Sequence, residues 1–206
     1  MQNLFIYLLK GLKGLKTQIS YPLDWFFTYI KLYMNGIKFG SFKSFGVPNV
    51  NVSIGGQVFI GSEFRMNNNL YSNNIGRVEA CNLIVGKNGK LVIHDNVGLS
   101  GSTIVCQNSI EIGSNVNLGG NVVIYDTDFH SLNKLDRLDV KTDKIKTTTK
   151  PVKIGSNVFI GGHSTILKGV EIGENVIIGA CSVVTKNIPD NQLWAGNPAK
   201  FIRELN

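Results

Sequence analysis

Between residues 152 and 185 an aliphatic side chain returns at every sixth position: Ile154, Ile160, Ile166, Ile172, Ile178 and Val184. Gly155, Gly161, Gly173 and Gly179 directly follow four of them. Val158, Ser164, Val170, Val176 and Ser182 come four residues after the first five and are small or β-branched. On an α-helix six residues advance the chain by about 600°, so successive aliphatics would face three sides and bury none. In extended chain the side-chain period is two, and every sixth residue shares a face. A chain that turns a corner every six residues stacks these aliphatics into inner columns, and each coil needs its neighbours to bury its share. Glycine and asparagine suit such corners because they tolerate left-handed backbone angles. The pattern predicts an all-β solenoid of stacked coils.

Upstream the same period is interrupted. Ile54-Gly55 and Ile60-Gly61 are six apart, and Val85-Gly86 leads to Leu91. Ile93, Leu99 and Val105 keep the count before a one-residue slip; Ile112-Gly113, Leu118-Gly119 and Ile124 resume it. The stretch from Asn67-Asn68-Asn69 to Asn73-Asn74 breaks the pattern and predicts irregular coils. Ile124 and Ile154 are 30 residues apart, so the phase survives, yet His130, Asp136, Thr142 and Thr148 are polar where aliphatics are due. Residues 131–151 are therefore expected to leave the coil as an extruded, charge-dense loop. Long loops on rigid scaffolds often carry function; a merely solvated loop fits the pattern equally well.

The first 45 residues read differently. Leu4, Leu8, Leu12 and Leu15 recur at helical spacing with Lys10, Lys13 and Lys16 largely off that stripe, and Gly11 and Gly14 weaken the helix. Aromatic residues follow at Trp25, Phe26, Phe27, Tyr29 and Tyr33. The expected organisation is a short helical, basic, amphipathic segment over 1–45, coils over 46–190 and a C-terminal tail over 191–206. Six lysines against Asp24 place +5 of the net charge of +7 in residues 1–45. Two readings fit this segment: a cap on the open end of the solenoid, or an amphipathic contact with an anionic membrane surface. Nucleic-acid binding is not expected, since the basicity does not extend into the coils. The apolar run Leu4–Leu9 is too short to span a bilayer and lacks the flanks of a signal peptide, which predicts a cytoplasmic protein. Cys81, Cys106 and Cys181 are sparse and odd in number, as expected of three small buried hydrophobes in a reducing compartment.

The repeats, the segment Ile124-Tyr125-Asp126-Thr127-Asp128-Phe129-His130-Ser131 and the ending Ala195-Gly196-Asn197-Pro198-Ala199-Lys200 together resemble the hexapeptide-repeat acyltransferases. Within them the sugar O-acetyltransferases are most similar: the maltose and galactoside enzymes and those that modify bacterial surface polysaccharides. The resemblance covers residues from about 50 onward and leaves 1–49 unmatched. It implies a left-handed parallel β-helix, a homotrimer with active sites between neighbouring subunits, and coenzyme A running along the coils.

The resemblance also assigns chemistry. Transfer of acetyl from acetyl-CoA to a sugar hydroxyl needs a base for the hydroxyl proton, a task suited to an imidazole. His130 matches the catalytic histidine, although relatives often carry it one place earlier, where this chain has Phe129. Asp126 or Asp128 would orient it; both are also ordinary turn residues. His94 is read as structural, at a corner; His163 lies within a coil and is either structural or a border of the donor site. Gly162 matches the donor of an N–H to the thioester oxyanion, where relatives often carry serine. Ala180 lies 18 residues on and matches a pantetheine contact. Thr185, Lys186, Lys200 and Arg203 match positions holding the nucleotide phosphates. Trp194 would stack on adenine or cover the last coil. Histidine spacing offers no metal pair, so no metal is expected. The acceptor is expected in surface polysaccharide or lipopolysaccharide assembly, at the inner face of the membrane if the basic segment docks there. Acetylation of an amino sugar or an antibiotic, and a non-catalytic β-helix scaffold, are the alternatives.

Overall fold

The computed structural model describes residues 2–69 and 79–206; within the first helix the side chains of 2–5, 8–9 and 12–19 fall outside that description. Much of the asparagine-rich interruption, residues 70–78, lies outside the described residues, and with it much of the expected irregular coil.

Short strands repeat in the order face 1, face 2, face 3, and each pairs in parallel with the strand one coil away. Face 1 runs from Lys38–Phe39 to Glu171–Ile172, face 2 from Phe42–Phe45 to the C-terminal strands, and face 3 from Asn49–Val52 to Val183–Val184. The period of six is this prism seen along the chain. Ile154, Ile160 and Ile166 sit on faces 1, 2 and 3, and Ile172, Ile178 and Val184 repeat the series one coil later. The inner columns are aliphatic and dry, for example Ile93, Ile112, Ile154 and Ile172, none more than 1% exposed. Removing one such side chain to alanine costs about 2–5 kcal/mol, because stacked coils collapse poorly around a void.

Two columns of left-handed residues make the corners. Between faces 1 and 2, Asn96, Asn115, Asn157, Asn175 and Asn191 have φ of 52° to 61°. Their amides form a ladder: Asn96 Nδ2 donates to Asn115 Oδ1 at 2.7 Å and Asn115 Nδ2 to Asn157 Oδ1 at 3.0 Å. Between faces 2 and 3 the left-handed positions include Gly101, Asn121, His163 and Cys181, with φ of 55° to 62°. His163 thus occupies a turning position, and it also lines the groove along face 2. Cys181 is exposed there, which corrects the expectation of three buried cysteines; Cys81 and Cys106 are buried.

The structure corrects the boundaries as well. Helix α1 spans Gln2–Met34, so the segment is one helix of 33 residues rather than a short one. The solenoid begins at Lys38 rather than at residue 46, because Lys38–Phe39 and Phe42–Phe45 already pair with the next coil. Residues 191–206 are no loose tail: Gln192–Ala195 adds to face 2 and pairs antiparallel with Lys200–Glu204. Ile54 is 97% exposed, so Ile54-Gly55 is a turn and not a column position; Gly55 has φ of 97° and Gly56 N bonds Ser53 O. The slip falls before Val105, since Ile104 is the residue paired with Ile124.

The second half of α1 covers the open end of the first coil. Trp25 stacks on Phe42 with ring centroids 5.5 Å apart, Thr28 Oγ1 donates to Ser44 Oγ, and Leu32 is fully buried. At the other end Trp194 is buried on the last coil, with Nε1 donating to Gln192 Oε1 and Lys186 Nζ 5.5 Å from its ring centroid.

Candidate active site

The chain leaves the solenoid after Val123–Tyr125 on face 3 and returns at Val152–Ile154 on face 1. The stems of the excursion pair with each other: Thr127 bridges Thr149, Lys150 N donates to Asp126 O, and Asp128 N to Thr148 O. The loop is structured. A 3-10 turn at Asp136–Leu138 leads into helix α2, Val140–Lys146, which Asp139 caps by accepting from Thr142 N and Oγ1, each at 2.8 Å.

Helix α2 folds back and sets Asp143 against the stem. Asp143 Oδ2 lies 2.6 Å from His130 Nδ1, and Oδ1 accepts from Ser131 N at 2.6 Å. Ser131 is fixed in turn by Asp136 through its hydroxyl and by Arg137 through its carbonyl. The hydrogen bond from His130, followed by that from Ser131, holds the Asp143 carboxyl below the ordinary aspartate value of 3.8. An ionised carboxylate accepts only, so Nδ1 carries a proton in this bond, and whenever the ring is neutral Nε2 is its accepting nitrogen. The His130 side chain is 70% exposed, open to a reactant.

Neither expected aspartate orients this histidine. Asp126 is fully buried and accepts from the amides of Gln107 and Asn108, both at 2.7 Å, which braces the neighbouring coil. Asp128 pairs with Lys168 Nζ at 3.0 Å. Asp143 is the carboxylate that bonds the ring. Sequence reasoning missed it because it lies 13 residues from His130, and only the return of α2 brings the two together.

A groove of about 660 Å³ runs along face 2. Gly120, Gly162 and Ala180 form its floor towards one end, with Phe45 and Arg65 at the other. Gly162 and Ala180 lie on successive coils, with Cys181 N donating to Gly162 O at 2.9 Å. The bonds between coils here use the amides of Gly119, Gly161 and Gly179 and pass over those of Gly120, Gly162 and Ala180. Glycine at 161 is a requirement of stacking: a Cβ there would come 2.5 Å from Ala180 N.

The structure thus brings Gly162 and Ala180 together. Thr185, Lys186 and Lys200 gather around the last coil, where Ala199 N bonds Val183 O; all three are exposed, as is Arg203 on the final strand. His130 is not brought to the groove within one chain. It stands at the corner between faces 3 and 1, whereas the groove occupies face 2. Among the described residues no cluster of three or more His, Cys, Asp or Glu side chains is arranged to hold a metal ion.

Residues 151–186 match the family described as bacterial transferase hexapeptide (six repeats). Over those residues the repeat is similar to the bacterial transferase hexapeptide. The parallel coils are accordingly those of a left-handed β-helix. The chain is 38% identical over 107 residues to the galactoside O-acetyltransferase of Escherichia coli, covering 50% of this chain and 48% of that one. It superposes on a hexapeptide-repeat acetyltransferase of Vibrio cholerae, solved with acetyl coenzyme A, with a TM-score of 0.51 and 29% identity over 61% of this chain and 64% of that one. An N-acyltransferase of Bacillus cereus, solved with dTDP and coenzyme A, gives a TM-score of 0.62 over 82% of this chain and 84% of that one. At 20% identity that last likeness speaks for the fold alone. The chain spans about half the length, or less, of the relatives it matches in sequence.

Proposed function

We propose that this hexapeptide protein is an acetyltransferase that moves acetyl from acetyl-CoA to a sugar hydroxyl. The observation that carries the reading is the His130–Asp143 pair, in which the carboxylate lies against Nδ1 and the ring stands 70% exposed to a reactant. His130 Nε2 takes the acceptor's proton as the hydroxyl oxygen attacks the thioester carbonyl carbon. The Gly162 amide faces the oxyanion that forms. The C–S bond then breaks, and the imidazolium returns its proton to the departing coenzyme A thiolate. Ala180 admits the pantetheine arm close to the backbone, and Thr185, Lys186, Lys200 and Arg203 hold the phosphates.

The active protein is a homotrimer in this reading. His130 and the groove lie at different parts of the prism, so a neighbouring subunit supplies one to the other. The loop carries Leu132, Leu135, Leu138, Val140 and Ile145 exposed, an apolar set suited to seating on that neighbour. The acceptor is a sugar of a surface polysaccharide or lipopolysaccharide precursor, in line with the galactoside-modifying relative.

Titration with acetyl-CoA in a calorimeter tests the donor half without knowledge of the acceptor. Saturable binding weakened about tenfold or more by Lys200→Ala with Arg203→Ala is expected. A folded protein that takes up no acetyl-CoA would remove the reading.

A further inference from the structure

Helix α1 has two apolar faces, and the solenoid uses one. The used face carries Trp25 on Phe42, Thr28 on Ser44, the buried Leu32, and Tyr21, whose ring lies 5.2 Å from that of Phe45. Asp24 Oδ2 accepts from Gly46 N on the same side at 2.8 Å. On the opposite side Leu23, Phe26, Phe27, Tyr33 and Met34 are each half exposed or more. By helical register the line through Leu23 and Phe26 continues towards the N-terminus through Ile19, Leu15, Leu12, Leu8 and Leu4. Phe26 and Phe27 pack edge-on with ring centroids 5.7 Å apart, and Tyr33 stacks on Tyr29 along the same helix. With the five positions in register towards the N-terminus, the line spans about 45 Å at the 1.5 Å rise of a helix.

The spacing of the stripe says what shape it fits. From Leu4 to Tyr33, with Ile30 between Phe26 and Tyr33, it covers 29 residues in eight steps, or about 3.6 per step. That is the period of an α-helix with no supercoil, whose stripe keeps to one side of the axis on either side of Pro22, which lies within the helix. A helical partner in a left-handed supercoil would call for 3.5. The charge says which surface. Lys10, Lys13 and Lys16 flank or oppose the stripe, and residues 1–23 contain no Asp or Glu. Asp24 is the one acid of the helix, and it is committed to Gly46 N. No described helix is long and apolar enough to cross a membrane. A basic helix with a wide apolar face and no spanning segment is the form that lies in the interface of an anionic bilayer.

We propose that α1 lies on an anionic lipid surface through the face it turns away from the solenoid. Its other face then sets the solenoid on the membrane. Tyr21 of the docked helix touches Phe45, and Phe45 lines the far end of the face 2 groove. The groove therefore ends beside the lipid. Delivery of a lipid-borne acceptor to it rests on the acetyltransferase reading, whereas the docking does not.

The full chain is sedimented with vesicles of phosphatidylcholine alone and of phosphatidylcholine with phosphatidylglycerol. Partition onto the anionic vesicles about tenfold or more above the neutral ones is expected, falling as salt is raised. Leu23→Glu with Phe26→Glu is expected to lower it about tenfold while the thermal midpoint and acetyl-CoA affinity stay put, since both side chains are half exposed on the face turned away from the solenoid. Equal partition onto both vesicles, or no effect of the substitutions in a folded protein, overturns the proposal. A change of sedimentation mass on substitution, without vesicle binding in the parent, assigns the face to a second copy of the chain and also overturns it. Docking with no acetyl-CoA binding leaves the membrane proposal standing and removes the acetyltransferase reading.

Discussion

His130 Nδ1 and Asp143 Oδ2 stand 2.6 Å apart, joined across the loop by the return of helix α2. If Asp143 fixes the tautomer, Asp143→Asn should leave acetyl-CoA affinity unchanged and lower turnover by about two to four orders of magnitude. His130→Ala should lose at least about two orders. Steady-state rates beside calorimetric affinities check both. Full turnover in Asp143→Asn would show that the carboxylate does not act through the imidazole.

The same pair has a pH signature. The folded-state pKa of Asp143 is depressed, so its contribution to loop order is fully present above the unfolded value of 3.8 and is lost as pH falls below that value through the folded one. Hydrogen exchange at residues 131–147 should quicken over that acid window. In Asp143→Asn the exchange should be fast at all pH values. Exchange that ignores acid in the parent protein would contradict the assignment.

Asp126 is expected to behave as a structural residue and not as a catalytic one. Asp126→Ala leaves the amides of Gln107 and Asn108 without an acceptor beside a buried coil, at a cost of about 1–3 kcal/mol for each group. The thermal midpoint should fall by several degrees, with turnover per folded molecule near that of the parent. A variant that keeps its midpoint and loses turnover would return Asp126 to the site.

These two aspartates show how far the sequence could be read. The repeat over 154–184 was legible because stacking copies a local rule from coil to coil, and each aliphatic occupies the face its phase predicts. Gly162 and Ala180 were legible for the same reason, since 18 residues make one coil. Asp143 was not, because its contact with His130 depends on the path of an inserted loop that has no period. The start of the solenoid at Lys38 was hidden by its aromatic core-facing residues: Phe42 is buried and Phe39 packs against the core, where later coils use aliphatics. Ile54 misled in the opposite sense, as an Ile-Gly pair set in an exposed turn.

The thiols should separate cleanly. Burial pushes Cys81 up to about 11, and burial together with the charge of Asp126 pushes Cys106 up to about 12. Cys181 is exposed at a corner. One thiol of the three should react with a chromogenic disulfide near pH ~8 in the native protein, and all three in denaturant. More than one fast thiol would show that the coils around Cys81 and Cys106 open readily.

The exposed side chains of the loop give the test of assembly. Leu138 and Val140 are each 83% exposed in the single chain, on a segment with its own caps and hydrogen bonds. Apolar side chains held out by a rigid support suit a face that another subunit covers. Leu138→Glu with Val140→Glu places two charges in that contact, where unpaired burial is strongly unfavourable. If the chain assembles as the proposed homotrimer, the sedimentation mass should drop from trimer to monomer with the thermal midpoint of the coils little changed, because both side chains stand 83% exposed. Turnover should fall with the trimer, since His130 and the face 2 groove then have no neighbour to complete them. A variant that stays trimeric and active would free the loop from assembly and require His130 to reach a donor on its own chain.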